Sequence, residues 1–142
     1  MTKLQENYSG YLKDENCEVD FNNEEEGDFI RFTYEGVNYL LSVNKDPVTD
    51  IVENVRIVTG YPYDFESEEK IIKSLKIVNS INGEMTRGKI YIDLYENIFF
   101  LETSFYIIKT EYFGSFLKVC TEYLETMLSN LLDQIEKKQN HN

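Results

Sequence analysis

Asn79 and Asn82, three residues apart and followed at once by Gly83, are the polar side chains whose spacing most suggests a site. Two carboxamides on adjacent turns of one helix could clamp a planar polar group, since each carries donors and an acceptor. The same residues can instead end a helix. The last carbonyls of a helix lack internal partners, and an Asn or Gly in left-handed conformation closes the final turn. We read the segment the second way: Asn79, Asn82 and Gly83 form a structural cap. Asn82-Gly83 supplies the left-handed residue, and Asn79 gives its amide to the loop over 84–88.

Other chemistry-bearing types are sparse. The single histidine, His141, is the penultimate residue, where it has no fixed partner to make it a base. Cys17 and Cys120 are far apart, without metal or redox spacing, and Cys120 sits in an apolar helical pattern as a small hydrophobe. Gly83 and Gly88 flank a short connection without the pattern of a phosphate loop. Asp46, Asp50, Asp64 and Glu66 lack calcium-loop spacing and read as solvated carboxylates. Carboxylate pairs for glycoside chemistry assemble in space and leave no mark here. The expectation is a protein that is not an enzyme and uses no cofactor or metal.

The 142 residues fit one domain, 1–142, with a formal charge of −12 and 42% apolar residues. Such acidity opposes nucleic acid and anionic membranes alike, and favours a basic or apolar protein partner. The N-terminus has no apolar signal-like core, and no run is long enough to span a bilayer, so a cytoplasmic location is expected. Acidic runs such as Asn22–Glu26 read as solvated loops.

The elements follow from hydrophobic period. A short N-terminal helix is expected over 2–13, peripheral to the domain, with Leu4, Tyr8, Tyr11 and Leu12 on one side. Cys17, Val19 and Phe21 alternate as a brief strand. Asp28–Tyr34 and Val37–Val43 flank Glu35-Gly36 as a hairpin, and Ile51–Tyr61 adds a third strand. Ser67 caps a helix whose stripe is Ile71, Ile72, Leu75, Val78 and Ile81. Lys89–Tyr95 and Ile98–Ile107 alternate around a Glu96-Asn97 turn, where Asn97 tolerates positive φ. A long helix follows, with Phe113, Phe116, Leu117, Cys120, Leu124, Met127, Leu128, Leu131 and Ile135 as its stripe, widened by Val119, Tyr123 and Leu132. That stripe exceeds what one sheet needs, and the tail 137–142 is expected to lie outside the fold. The order α-β-β-β-α-β-β-α with an antiparallel sheet is an α+β, two-layer domain.

Aromatic residues supply the remaining signal. Tyr61-Pro62-Tyr63-Asp64-Phe65 puts three rings in one loop, either stapling the middle helix or offering a recognition patch. The strand run around Phe99 and Phe100 is apolar on both faces, so one face needs cover. The expected protein-binding residues are Phe99, Leu101, Phe105, Leu128, Tyr61 and Tyr63.

This order, with LKIVNSIN leading into GKIYIDLYENIFFLET, resembles the YbjN family, the so-called bacterial sensory transduction regulators, whose fold is like that of type III secretion chaperones. The resemblance runs from about Asp28 to Leu132. Its departure is the second hairpin, where Glu96-Asn97 stands in place of a Gly-containing turn. It implies a chaperone-like or regulatory domain, often a homodimer, that holds a protein client by apolar patches and a sheet edge, with no catalytic residues. The competing expectation is an acidic immunity protein that neutralises a basic toxin.

Overall fold

The computed structural model describes residues 2–20 and 29–140, with side chains through residue 137. Phe21, the acidic run at 22–26, Asp28 and His141 lie outside the described residues. The elements are α1 (Lys3–Asp14), β1 (Glu18–Asp20), β2 (Phe29–Tyr34), β3 (Val37–Lys45), β4 (Glu53–Pro62), α2 (Glu68–Glu84), β5 (Gly88–Asp93), β6 (Ile98–Ile107), a 3-10 turn (Thr110–Tyr112) and α3 (Phe113–Asn140). The strands form one sheet in the order β1-β2-β3-β4-β6-β5, and every neighbouring pair is antiparallel. The α+β order read from the sequence is the observed one, with the brief strand after Cys17 present as β1.

Local chemistry explains the turns. Glu35 and Gly36 both have positive φ, 49° and 80°, as a twist-matched two-residue hairpin requires. At the β5–β6 turn Asp93 Oδ1 accepts from the N–H groups of Tyr95 and Glu96, and Asn97 takes φ 56°. Asn97 thus does the work the sequence assigned to it, although the strand before it ends at Asp93 rather than Tyr95.

The helices pack on one face of the sheet, because one alternating set of strand residues is apolar. Ile30, Phe32, Tyr39, Leu41, Val55, Ile57, Ile90, Phe99 and Leu101 meet Leu117, Leu124, Met127 and Leu131 of α3 in a single core. α1 is part of that core, not peripheral. Tyr8 and Leu12 are fully buried, and the Tyr8 ring meets Phe113 edge-on at 5.4 Å. Its N-terminus carries a reciprocal cap in which Thr2 Oγ1 accepts from Gln5 N–H and Gln5 Oε1 accepts from Thr2 N–H. At the other end α3 continues through residues 137–140.

The α2 stripe differs from the expected one. Ser74, Ile77, Val78 and Ile81 are buried, whereas Ile72 and Leu75 are exposed. The hydrophobicity of Ile72 and Leu75 pulled the inferred face round the helix; the small Ser74 and Ile77 face the core instead. Among the described residues no helix is long and apolar enough to cross a membrane.

Candidate functional site

The asparagine pair resolves into unequal members. α2 does not stop at Asn82-Gly83. It runs to Glu84 and ends on Met85, whose φ of −98° is extended, and Gly83 has no positive φ. The left-handed cap expected at Asn82-Gly83 is therefore corrected: both residues lie inside the helix. Asn79 is exposed, and the bond to the following segment is made by Asn82. Its Oδ1 accepts from Ile90 N–H at 2.8 Å and its Nδ2 donates to Ile90 C=O at 3.0 Å.

Ile90 lies in β5, an edge strand of the sheet. Its two backbone groups point away from β6, and the Asn82 carboxamide pairs with both as a neighbouring strand would. An open edge invites another chain to add there, so this amide closes the middle of an otherwise available edge. Asn82 thus bonds one part of the fold to another by edge protection, not by the helix termination expected of Asn79, Asn82 and Gly83.

Two of the expected contact residues are not at the surface. Phe99 and Leu101 are fully buried, which corrects their assignment as partner-binding residues. They carry the strand parity that faces the helices. Phe105 and Leu128 are half-buried, and the Phe105 ring stacks on Phe116 with centroids 5.0 Å apart. Tyr61 and Tyr63 are half-buried as well. Tyr63, Phe65 and Phe99 make a three-ring cluster with centroid distances of 5.0–5.3 Å, so the aromatic loop staples the sheet end.

Among the described residues, the surface that remains uncovered is the other face of the sheet. Its residues are the opposite parity: Phe29 and Arg31 of β2, Leu40 and Ser42 of β3, Arg56 and Val58 of β4, Phe100 and Glu102 of β6, Tyr91 of β5. Register places Leu40 beside Val58, Val58 beside Glu102, and Phe100 between Gly60 and Tyr91. Gly60 matters here, since a Cβ would stand 3.2 Å from Ile98 Cγ2 and 3.5 Å from the Phe100 ring. Without that side chain the ring can lie down across β4. Val58 is only 6% exposed although no described helix covers it, because Leu40 and Phe100 close around it.

Two concavities open on this face. One, of about 820 Å³, is lined by Phe29, Leu40, Val58, Leu94 and Phe100 with Arg56 and Asp93 at its rim. The other, of about 570 Å³, lies where β3 and β4 splay apart beyond Leu40 and Val58, and reaches to Glu18 and Asp20. Between the apolar patches runs a polar line. Glu102 is ion-paired with Arg56 Nε and accepts from Tyr91 Oη at 2.6 Å. The Arg56 guanidinium also lies 5.7 Å from the Phe29 ring centroid. The hydrogen bond to Glu102 raises the Tyr91 pKa above the usual tyrosine value, with desolvation adding to it.

The groups most able to act as nucleophiles are disarmed by burial. Desolvation pushes both Cys17 and Cys120 up to about 11, so neither thiol is appreciably ionised near neutrality. Asp50 lies against Lys45 and Glu66 against Lys70, and among the described residues no group of three His, Cys, Asp or Glu is placed to hold a metal.

Sequence reasoning named Phe100 only within a run apolar on both faces, without choosing it as a contact residue, and missed Leu40, Val58 and the Arg56–Glu102–Tyr91 line. A signal for Phe100 was present: Glu102 and Ser104 share its parity, and polar residues mark the outward set of a half-covered strand.

No family model matches this chain, and no curated relative does. Among solved structures it is similar to the crystal structure of YbjN, a proposed transcription regulator from E. coli, with a TM-score of 0.55 over 96% of this chain and 93% of that one. At 12% identity the likeness shows a YbjN-like fold and nothing finer.

Proposed function

We propose that the chain is a non-enzymatic protein-binding domain, chaperone-like or regulatory, that holds a protein partner on the open face of its sheet and itself forms a homodimer. The observation that carries the reading is that uncovered face. Its apolar floor of Phe29, Leu40, Val58 and Phe100 surrounds one ion pair and is shaped into two grooves. A half-covered sheet usually turns a polar face to water, so apolar residues at its centre need a reason. The YbjN-like architecture fits a binding role but does not name a partner.

Affinity purification from the native host with quantitative mass spectrometry tests it, using the intact chain and the variants Leu40→Ser and Phe100→Asp. Far-UV circular dichroism confirms that each variant is folded. A partner enriched by the parent chain and lost from both folded variants supports the open face. Equal recovery by the variants, or no specific partner at all, overturns it.

A further inference from the structure

β6 is longer than the strand beside it. β5 pairs with β6 from Asp93 opposite Ile98 to Gly88 opposite Thr103, while β4 follows the other flank as far as Ile107. Among the described residues, one flank of Ser104–Ile107 therefore faces a lane that no strand of the sheet fills. The ladder's alternation identifies the groups left over. Ile90 turns its backbone outward to Asn82, so Lys89, Tyr91 and Asp93 turn theirs toward β6. The even residues of β6 answer them, and by continuity the N–H and C=O groups of Ser104 and Tyr106 point into the vacant lane. Phe105 and Ile107 point to β4.

The lane is about 13 Å long at the usual strand rise. On its helix side the Phe105–Phe116 stack forms the wall, and Val119, one turn further along α3, is 56% exposed. At its closed end a groove of about 600 Å³ curls round the start of β5, lined by Arg87, Gly88, Lys89, Glu102 and Ser104. The Glu102 carboxylate is occupied by Arg56 and Tyr91. The groove's other charges, Arg87 and Lys89, are positive and exposed, in contrast to the acidity of the chain as a whole.

A second copy fits this lane poorly. Two-fold self-pairing that respects the alternation would centre on Phe105 or Tyr106, and would bring the other copy's Ile107 or Lys109 beside Thr103. Gly88 already fills that position, and in the second register Lys109 would meet Arg87 and Lys89 as like charges. The contrast with Ile90 is instructive: where β5 is the edge, a carboxamide closes it, and here the edge is open beside an aromatic wall.

We propose that Ser104–Ile107 is a strand-addition site for an extended, acidic segment of another protein. This rests on the protein-binding reading and adds a location and a chemistry to it. The added strand would bond to the Ser104 and Tyr106 backbone, set an apolar side chain against Phe105 and Phe116, and carry a carboxylate to Arg87 and Lys89.

The test is an NMR titration of the isotope-labelled full chain with a six-residue peptide alternating aspartate and valine, and with its lysine–valine counterpart. Expected are saturable shifts confined to 87–89, 104–107 and Phe116, and slowed exchange of the Ser104 and Tyr106 amides. Tyr106→Pro removes a donor that serves no ladder bond within the sheet, and should weaken binding about tenfold. Arg87→Glu should weaken it at least about fivefold, and the lysine peptide should bind at least about tenfold more weakly. Phe100→Asp should leave peptide affinity unchanged, which separates this site from the open face. No saturable shifts in the lane, equal binding of the lysine peptide, or undiminished binding to folded Tyr106→Pro would each overturn the proposal. So would concentration-dependent shifts in the lane without peptide, which would make a second copy the occupant.

Discussion

Replacing Asn82 by alanine should destabilise the fold and expose the edge of β5. The carboxamide makes two hydrogen bonds, at 2.8 and 3.0 Å, to the N–H and C=O of one residue, Ile90. Each such bond contributes about 1 kcal/mol net, and water reaches this half-buried position, so the sum is about 2 kcal/mol. For a chain of this size that lowers Tm by about 6 °C. Differential scanning calorimetry measures the first quantity, and native-state hydrogen exchange at the Ile90 amide locates it. Asn82→Asp keeps the acceptor for Ile90 N–H but loses the donor to Ile90 C=O and sets a carboxylate oxygen against that carbonyl. At neutral pH it should cost at least as much as alanine. Asn79→Ala, at an exposed position, should change stability by less than about 0.5 kcal/mol. The reasoning fails if Asn79→Ala proves the more damaging, or if Asn82→Ala leaves both Tm and Ile90 exchange unaltered.

Gly83→Ala should stabilise by about 0.5–1 kcal/mol, since Gly83 is within α2 with open space around it; a loss in chemical denaturation would contradict the helical placement. Gly88→Ala should destabilise by about 1–3 kcal/mol, because a Cβ there would stand 2.7 Å from Met127 Sδ and 2.9 Å from Glu102 O; an unchanged urea midpoint would refute the close approach of α3 to β5. Cys17 and Cys120 are raised by burial to about 11 from an unfolded value near 9. The folded state thus prefers neutral thiols, and this stability is complete below pH 9 and lost as pH rises through 11. Denaturation midpoints should fall over that window, less steeply in Cys120→Ala. Light scattering at high protein concentration should return twice the 16.8 kDa chain mass, and a strict monomer would remove the homodimer from the proposed function.

The fold was legible because its period changes are clean. Strand alternation, a Gly at the β2–β3 turn and a capped amphipathic α2 each point to one element, and the long α3 stripe needs no competing explanation. The site was less legible for a specific reason. In β6 the residues Ile98, Phe99, Phe100 and Leu101 are all apolar, so hydrophobicity cannot say which parity faces the helices. Only Glu102 and Ser104 break the tie, and they place Phe100 outward and Phe99 inward. Asn82 was hidden differently. Its partner Ile90 is eight residues away across a loop, and nothing local distinguishes a carboxamide that meets a strand edge from one that ends a helix.

Edge chemistry and face chemistry are connected in this fold. With all three described helices on one side, the sheet cannot shelter its edges by wrapping, and each needs its own device. Among the described residues β1 spans three positions, a short template for further pairing. β5 is longer and is closed at its centre by a side chain from α2, which requires α2 to end where Asn82 reaches Ile90. Keeping Gly83 inside the helix, instead of at its cap, allows that reach. The β6 lane escapes both devices because β5 begins at Gly88, where α3 presses too close for any side chain. The packing that fixes the start of β5 therefore also sets the length of open edge beyond it. Moving that contact by substitution at Gly88 should disturb stability and the open lane together, whereas changes at Leu40 or Phe100 should leave the lane as it is.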